Sequence, residues 1–481
     1  MQEKQTAGSD AHEPVGAPEG KPVSRRDFLK MAGIAGAIIG VGAGLGGLVA
    51  ACGGTTATTA TTAGGATTAT AGTTVTTSAQ GGRDIKIGLV EPKTGSLASY
   101  AIPNDWWTAH ATTATADGVV CGDGKLHKFQ IVRVDTQSDS NRAAQVTGDL
   151  ILNQNIDMVL AAGSPDTVVP VADQCEANGT PGVFTHCPWQ AVFKRSTTPA
   201  SGYKWIFGLL NGAEQTMADF TDMFDQIPNN KTVGMLFAND ADAAAWMSPT
   251  GAPAVFAAKG YKLVVPTFYQ SGAEDFTAQI SQFKKGGCDI VCGTNSPPDF
   301  TNFWKQSIQQ GFQPKLVSTG KALLFPQTLE AIGEIGYNLI GEMQWSPAWP
   351  FKDSLTGMTC KEIGDDFETK SGKQWTQVIG EYAMFEWAVD AFKRATNPDD
   401  KATVAVAIAA TNLMTVKGPI DFTAAVDAKT SHPVINNVKP LYAGGQWIKG
   451  TGKYKFDFVQ CSNAAAPGTE VQAKLQPMAY S

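Results

Sequence analysis

The sequence predicts an α/β protein whose globular part is two doubly wound parallel-sheet lobes in tandem. Three observations predict it. Short apolar runs alternate with helical patterns from Ile85 onward, and the alternation starts afresh near Lys231. A chargeless stretch, 53–82, separates this part from what precedes it. Short continuous apolar strands interleaved with helices mean parallel sheets covered on both faces.

In chain order, the first element is an export leader. Lys21, Arg25, Arg26 and Lys30 form a basic region, and no charge occurs from Met31 to Ala51. Basic-then-apolar is the layout of an export signal. Ser24-Arg25-Arg26-Asp27-Phe28-Leu29-Lys30 resembles the twin-arginine signal, which a receptor reads. Val49-Ala50-Ala51-Cys52 resembles a bacterial lipobox, where cleavage leaves Cys52 as a lipidated N-terminus. A retained transmembrane helix is the alternative, since about 20 residues at about 1.5 Å each just span a bilayer. Gly42-Ala-Gly44-Leu-Gly46-Gly47 fits a dinucleotide-binding glycine pattern, but it follows no strand and lies in the leader. Residues 53–82 carry one bulky apolar side chain and no acid or base, so they cannot offset their ordering entropy by burial. They read as a tether with an r.m.s. span of roughly 30 Å.

The first lobe opens with "IKIGLV" (85–90), followed by turn residues and a helical stretch from about Tyr100. "KFQIVRVD" (128–135) alternates as a strand does, "NRAAQVTGDLILNQ" (141–154) is helical, and "IDMVLAA" (156–162) is a buried strand. "DTVVPVADQCEAN" (166–178) returns to helix and "PGVFT" (181–185) to strand. The second lobe repeats the scheme with strands at 231–237, 261–266, 288–294 and 314–319. Phe276, Ile280 and Phe283 keep helical spacing between them. In a helix over 376–395, Tyr382, Phe385, Val389 and Phe392 form a core stripe. The tail 432–450 reads as strand, Gly-Gly turn, strand.

Composition bounds the function. The chain is acidic, with formal net charge −7, and has no basic stripe, which excludes nucleic acid as a partner. Eight cysteines minus Cys52 leave Cys121, Cys175, Cys187, Cys288, Cys292, Cys360 and Cys461, an odd set in which at least one thiol stays free in a monomer. Cys288 and Cys292 on one strand stand some 13 Å apart, beyond disulfide reach. The C-x-x-x-C pair has no nearby histidine, so no metal is expected, and buried inert thiols are the simpler reading. Asp135–Asn141 begins like a calcium loop but has Ser140 and Val146 where that loop needs Gly and Glu. No H-E-x-x-H, G-x-S-x-G or phosphate loop occurs, and no cofactor is expected.

"IKIGLVEPKTGSLASYA" (85–101), "VDTQSDSNRAAQVTGDLILNQNIDMVLAAGSPD" (134–166), residues 274–320, "EYAMFEWAVDAFKRA" (381–395) and "GGQWIKG" (444–450) occur in a telling order and spacing. Together they resemble the branched-chain amino-acid-binding (Leu/Ile/Val-binding) family of ABC-transporter substrate-binding proteins. The resemblance implies the type I periplasmic-binding-protein fold, two lobes joined by a three-segment hinge. Crossovers are then expected near 206–212, 344–350 and 418–424. Lobe 1 would comprise 83–208 and 346–420, and lobe 2 would comprise 209–345 and 421–481. Residues 1–51 are the signal segment and 52–82 the lipidated cysteine and tether.

In open α/β sheets ligands sit outside the carboxyl ends of the strands, where helix N-termini offer free N–H groups. The strand assignments therefore nominate Glu91, Ser96 and Tyr100 after the first strand and Ser164 and Asp166 after the third. Thr185 and Trp189 follow the fourth. The second lobe supplies Asp240, Asn295, Ser296 and Lys321, and Trp345 stands at a crossover. Ser164 before Pro165 is a good helix N-cap and equally a ligand contact. Relatives use Ser or Thr in that loop to grip a ligand carboxylate, and here Asp166 intrudes. Lys321 stands where they often place an acid for the ligand ammonium, so it would attract an acidic ligand. Trp106, Trp107, Trp189, Trp246, Trp345 and Trp349 fall near loops or hinges; they either pack, or face the cleft and hold a flat ligand by stacking. The ligand is an aliphatic amino acid, an aromatic or other organic acid, or a short peptide or amide.

The expected activity is that of a monomeric extracytoplasmic solute-binding lipoprotein of an ABC importer. It clamps a small amino-acid-like or carboxylate ligand and delivers it to a membrane permease without chemical change. A ligand sensor for a membrane receptor and a secreted enzyme are the alternatives.

Overall fold

The computed structural model describes residues 80–199, 202–249, 251–423 and 436–480. The twin-arginine segment, the lipobox with Cys52 and the tether up to residue 79 lie outside them, as do 424–435 beside the third expected crossover. Among the described residues no helix is long and apolar enough to cross a membrane.

β1 (Ile85–Glu91) is apolar along nearly its whole length because both of its faces are covered. After the helix Asn104–Ala114, β2 (Val119–Val120) and β3 (Leu126–His127) form a small antiparallel ribbon. β4 (Phe129–Asp135), β5 (Met158–Ala162), β6 (Gly182–Thr185) and β7 (Ile206–Leu209) complete the first sheet. Its order is β4-β1-β5-β6-β7, parallel throughout.

The second sheet contains β8 (Thr232–Phe237), β9 (Lys262–Val264), β10 (Ile290–Asn295), β11 (Leu316–Lys321) and β12 (Ile340–Met343). β13 (Asn412–Thr415) and β14 (Gly418–Asp421) make a second ribbon, and β15 (Tyr442–Lys449) and β16 (Phe456–Ala465) rejoin the second sheet. Its order is β16-β15-β12-β11-β10-β8-β9, parallel from β12 to β9 and antiparallel at β12–β15–β16. Both parallel blocks therefore reverse direction at their first strand, between β1 and β5 and between β8 and β10. Those reversals are where doubly wound sheets bind ligands.

Strand periodicity divides the core. Ile85, Ile87 and Leu89 of β1 and Met158 and Leu160 of β5 pack on one face of the first sheet, and Val90, Val159 and Ala161 pack on the other. In the second sheet Leu236, Val291 and Val317 face one side, and Met235, Ile290 and Leu316 the other. One apolar cluster continues between the sheets through Trp345, Tyr382 and Phe385. The helix Ala383–Arg394 packs on β5 and β6, so after β12 the chain returns to the first sheet before ending in the second.

Two expectations are corrected. Gly444-Gly445 is not a turn but the middle of β15, at an irregularity in its register with β16. A Cβ would meet Met223 Cε at 2.4 Å from position 444 and Phe458 Cζ at 2.6 Å from position 445, so close packing demands both glycines. The chain reverses after Lys449 instead. The core stripe Tyr382, Phe385, Val389 and Phe392 is buried as expected, but a 3-10 turn, Gln377–Tyr382, precedes the α-helix. All seven described cysteines are buried free thiols.

Asp219, on the helix Ala213–Asp225, is buried beneath the irregular strand pair. Ser462 Oγ and the Ala465 N–H donate to its Oδ1 at 3.1 and 3.3 Å, and its Oδ2 has no partner. Burial pushes this carboxyl from 3.8 up to about 8. The folded chain then holds a proton that the unfolded chain has lost, so stability falls as pH rises through that window. The urea midpoint is expected to drop between pH 5 and pH 8, and Asp219→Asn should flatten the drop. Parallel slopes in the two proteins would refute this.

Candidate functional site

The loops after β1, β5, β8, β10 and β11 converge between the two sheets on a cavity of about 280 Å³. Ser96 and Asp166 line it from the first lobe, and Asp240, Ser296, Asp299 and Lys321 from the second. A larger groove of about 630 Å³ lies next to it, beyond Asp166. Its walls are mainly apolar, from Val169, Pro170 and Ala191 on one side and Ala244 and Ala245 on the other. Five of the residues nominated at strand ends, Ser96, Asp166, Asp240, Ser296 and Lys321, line the smaller cavity, so it is the candidate site.

Local sequence explains how the lining is held. Asp240 caps the short helix Ala241–Trp246 by accepting the Ala243 N–H at 2.9 Å. Ser296 caps Pro297–Gln309, whose start also carries two prolines. Ser164 precedes Pro165 in the N-cap position of Pro165–Ala177, yet its hydroxyl makes no capping bond and reaches Asp166 Oδ2 at 3.4 Å. Capping therefore does not account for this serine.

Lys321 ends β11 in a left-handed backbone conformation, φ 58°, which a side chain rarely adopts. Its ammonium is buried and contacts Asp240 at 3.2 Å and Asp242 at 2.5 Å. Burial opposes the charge, but Asp242, Asp240 and Asp166 outweigh it and raise the proton affinity well above the usual lysine value. Asp242 is itself raised above the carboxylate range, because burial and two neighbouring acids exceed what one shared ammonium supplies. The Lys321 charge expected to attract an acidic ligand is thus already shared with carboxylates of the protein itself.

A second polar cluster lies deeper. Lys417, in the turn between β13 and β14, donates to Thr185 Oγ1 at 3.2 Å and reaches His186 Nε2 at 3.4 Å. Burial lowers Lys417 to about 7 and, with Lys417 beside it, holds His186 well below its usual value. Glu342 accepts from the Lys321 N–H at 3.4 Å and from the Tyr442 hydroxyl, and burial pushes it up to about 7. Tyr100 closes this cluster from the first lobe, edge-on to Phe325 of the second, with ring centroids 5.1 Å apart. His186 Nδ1, Gln344 Oε1, Gln377 Nε2 and Glu381 Oε1 are buried without hydrogen-bond partners.

Of the nominated residues, Ser96, Asp166, Asp240, Ser296 and Lys321 meet in the cavity. Tyr100 and Thr185 are buried in the deeper cluster, and Ser164 is buried beside Asp166. Glu91 is held by Arg133 Nε at 2.8 Å and Asn104 Nδ2 at 2.7 Å. Asn295 is engaged by Leu236, Tyr269 and Thr319. Trp189 donates to Glu214 at 3.1 Å, and Trp345 packs edge-on to Trp375. Of the two readings of the six tryptophans, the structure fits packing. Trp106, Trp107 and Trp349 donate to Asp366, Asn104 and Gln460, Trp246 packs on Phe237, and none of the six lines the cavity.

Asp242, Asp299, Glu342, Gln344, Glu381 and Lys417 were not nominated. Asp299 had a signal, an acid in the first turn of a helix starting at a strand end. Lys417 and Glu381 had none, because they come from segments distant in sequence.

A profile of the periplasmic binding protein family matches residues 84–436, and the chain belongs to that family. Leu/Ile/Val-binding protein homolog 8 of Brucella abortus (strain 2308) is 22% identical over 320 residues, covering 63% of this chain and 75% of that protein. The branched-chain amino acid transporter substrate-binding protein LivJ from Streptococcus pneumoniae, solved with isoleucine, superposes with a TM-score of 0.61 at 18% identity, over 78% of this chain and 99% of that one. A solute-binding protein of an ABC transporter from Rhodopseudomonas palustris BisB5, solved with 3,4-dihydroxybenzoic acid, gives 0.62 at 18% identity, over 80% and 99%. The fold is the type I periplasmic-binding-protein fold.

Removing the Lys321 ammonium leaves two carboxylates buried beside each other. Lys321→Met is expected to destabilise the protein by about 3–5 kcal/mol, read as a lowered urea midpoint. Adding Asp242→Asn should restore part of the loss. A Lys321→Met protein as stable as the parent would show that the ion pairs do not form.

Proposed function

We propose that this chain, a member of the periplasmic binding protein family, is the solute-binding lipoprotein of an ABC importer. It closes two lobes on a small amino-acid-like solute and passes it unchanged to a membrane permease. The observation that carries this reading is a cavity lined from both lobes, at the switch points of both parallel sheets.

The lobes are 83–208 with 346–420 and 209–345 with 421–481, and the hinge is the three crossovers near 206–212, 344–350 and 418–424. Support comes from the chain's alternation between sheets, with β7 in the first and β8 in the second, and β14 separating β12 from β15. A solute that touches both lobes favours the closed form by its differential affinity. Shifting the balance from about 1:99 to 99:1 takes about 5.5 kcal/mol. Charge-assisted hydrogen bonds across the cleft, and partners for the buried polar atoms around Glu381 and Gln344, are of that order.

The solute reading is supported by relatives that bind isoleucine and 3,4-dihydroxybenzoic acid. An amino acid fits this chain better than an acid alone. Lys417, with Thr185 and His186, offers an anion site, and the carboxylates around Lys321 offer a cation site. No bond-making step is needed.

Scanning amino acids and aromatic acids by thermal shift on the full chain tests the reading. A true solute at about 100 times its Kd adds about 2.7 kcal/mol of stability, and small-angle scattering should show contraction. A chemically altered probe after incubation would replace transport by catalysis. The anchor is tested separately. Cys52→Ser should abolish lipid labelling and move the protein out of the membrane fraction, and continued membrane association would overturn the lipoprotein assignment.

A further inference from the structure

The candidate cavity and the groove of about 630 Å³ beyond it share Ser140 and Asp166 as walls, so a molecule seated in one is within reach of the other. Helix periodicity builds the groove from two facing rows. On the helix Pro165–Ala177, Asp166 borders both spaces, and Val169 and Pro170 stand one turn further along the same face. On and just after the helix Ala241–Trp246, Ala241, Ala244, Ala245 and Ser248 keep the same spacing. The first helix follows β5 of the first sheet, and the second follows β8 of the other.

Ala191 adds to the first wall from the helix Trp189–Phe193. Alanines are too short to reach across, so the rows leave a groove where packed helices would interdigitate. Gln190 and Arg195 also line it, and both are engaged. Gln190 donates to Glu214 at 2.6 Å, and Arg195 binds the two oxygens of Asp173 at 2.6 and 3.0 Å. Asp173 lies about 10 Å along its helix from Asp166. Between those two acids the wall is Val169 and Pro170.

The groove's volume falls within the range of small-molecule pockets, about 300–1,000 Å³, which are mostly apolar with a few fixed polar groups. Resting on the solute-binding reading, we propose that the groove is a second compartment of the solute site, taking an apolar arm of a solute whose polar end sits in the cavity. The solute is then longer than a branched-chain amino acid, with an alkyl or aryl extension of up to about 10 Å. A charged arm would lose its water against Val169, Pro170 and the alanines, and the Arg195 charge is already paired with Asp173.

Such an arm also couples binding to closure. It touches a helix from each sheet, and it takes the apolar surface of both rows out of water only while the rows face each other. A longer arm therefore favours the closed form more strongly.

Calorimetry on the full chain tests this with straight-chain α-amino acids, from alanine through norleucine to α-aminodecanoic acid, and with the matching carboxylic acids. In the series that binds, affinity should climb beyond norleucine by up to about four-fold per methylene. Ala244→Glu sets a charge in the wall at an exposed position. It should weaken the longest member about ten-fold, change the shortest member that binds less than about two-fold, and leave Tm within about 2 °C. Ala191→Glu on the opposite wall is the second variant, with the same expected direction, should Ala244→Glu fail to fold. Affinity that is flat or falling beyond norleucine overturns the apolar-arm assignment and leaves the solute-binding reading standing. A rise with chain length that the variants leave unchanged puts the arm elsewhere and overturns the groove's role. Self-association of the chain that Ala244→Glu abolishes gives the groove to a second copy and overturns it as well. No binding in either series overturns the assignment and counts against the solute-binding reading too.

Discussion

The Lys321 ammonium, locked between Asp240 and Asp242 with Asp166 close by, organises the region between the lobes. It sets the sign of the cleft. One buried cation shared among several acids leaves negative charge in excess. It also ties the end of β11, where Lys321 has a φ of 58° that a side chain rarely adopts, to the helix after β8. A buried pair of this kind contributes little net stability, but it makes the site unforgiving of change, because each partner is costly alone.

Around that centre the two sheets act as scaffolds. Their strand periodicity puts one apolar face toward the shared cluster through Trp345 and Tyr382 and the other toward helices. The strand ends are left to carry polar groups, because a parallel sheet buried on both faces has no other place for them. Tyr100, Leu97, Leu324, Phe325 and Val378 form a small apolar contact between the lobes. An apolar contact thus lies near polar atoms that lack partners, among them Gln344 Oε1 and Glu381 Oε1. Such atoms cost about 1–3 kcal/mol each.

Much of the scaffold was legible in residue pattern. β1, β5 and β6 are continuous apolar runs, and the helix beginning at Ser296-Pro297 announces its start by its capping residues. The strand-end rule led to Ser96, Asp166, Asp240, Ser296 and Lys321, which the fold brings to one cavity. It also led to Glu91 and Asn295, whose polar atoms are taken up by Arg133, Asn104, Thr319 and Tyr269. Sequence position cannot tell a strand-end residue that faces the cleft from one turned into the sheet. The tryptophans pose a related ambiguity: an indole near a loop looks available until its N–H is seen bonded inside a lobe, as Trp107 is to Asn104.

Alone, the sequence determined the order of strands and helices, their restart at a second lobe and the loops that could bear a site, because periodicity and capping are local. Tertiary structure decided the charge of the cleft and the role of Lys321. It decided the joining of Lys417 to Thr185 and His186 across more than two hundred residues of chain. Whether an ionised group is free or already paired depends on what burial brings beside it, and neighbours that distant leave no trace in a linear pattern.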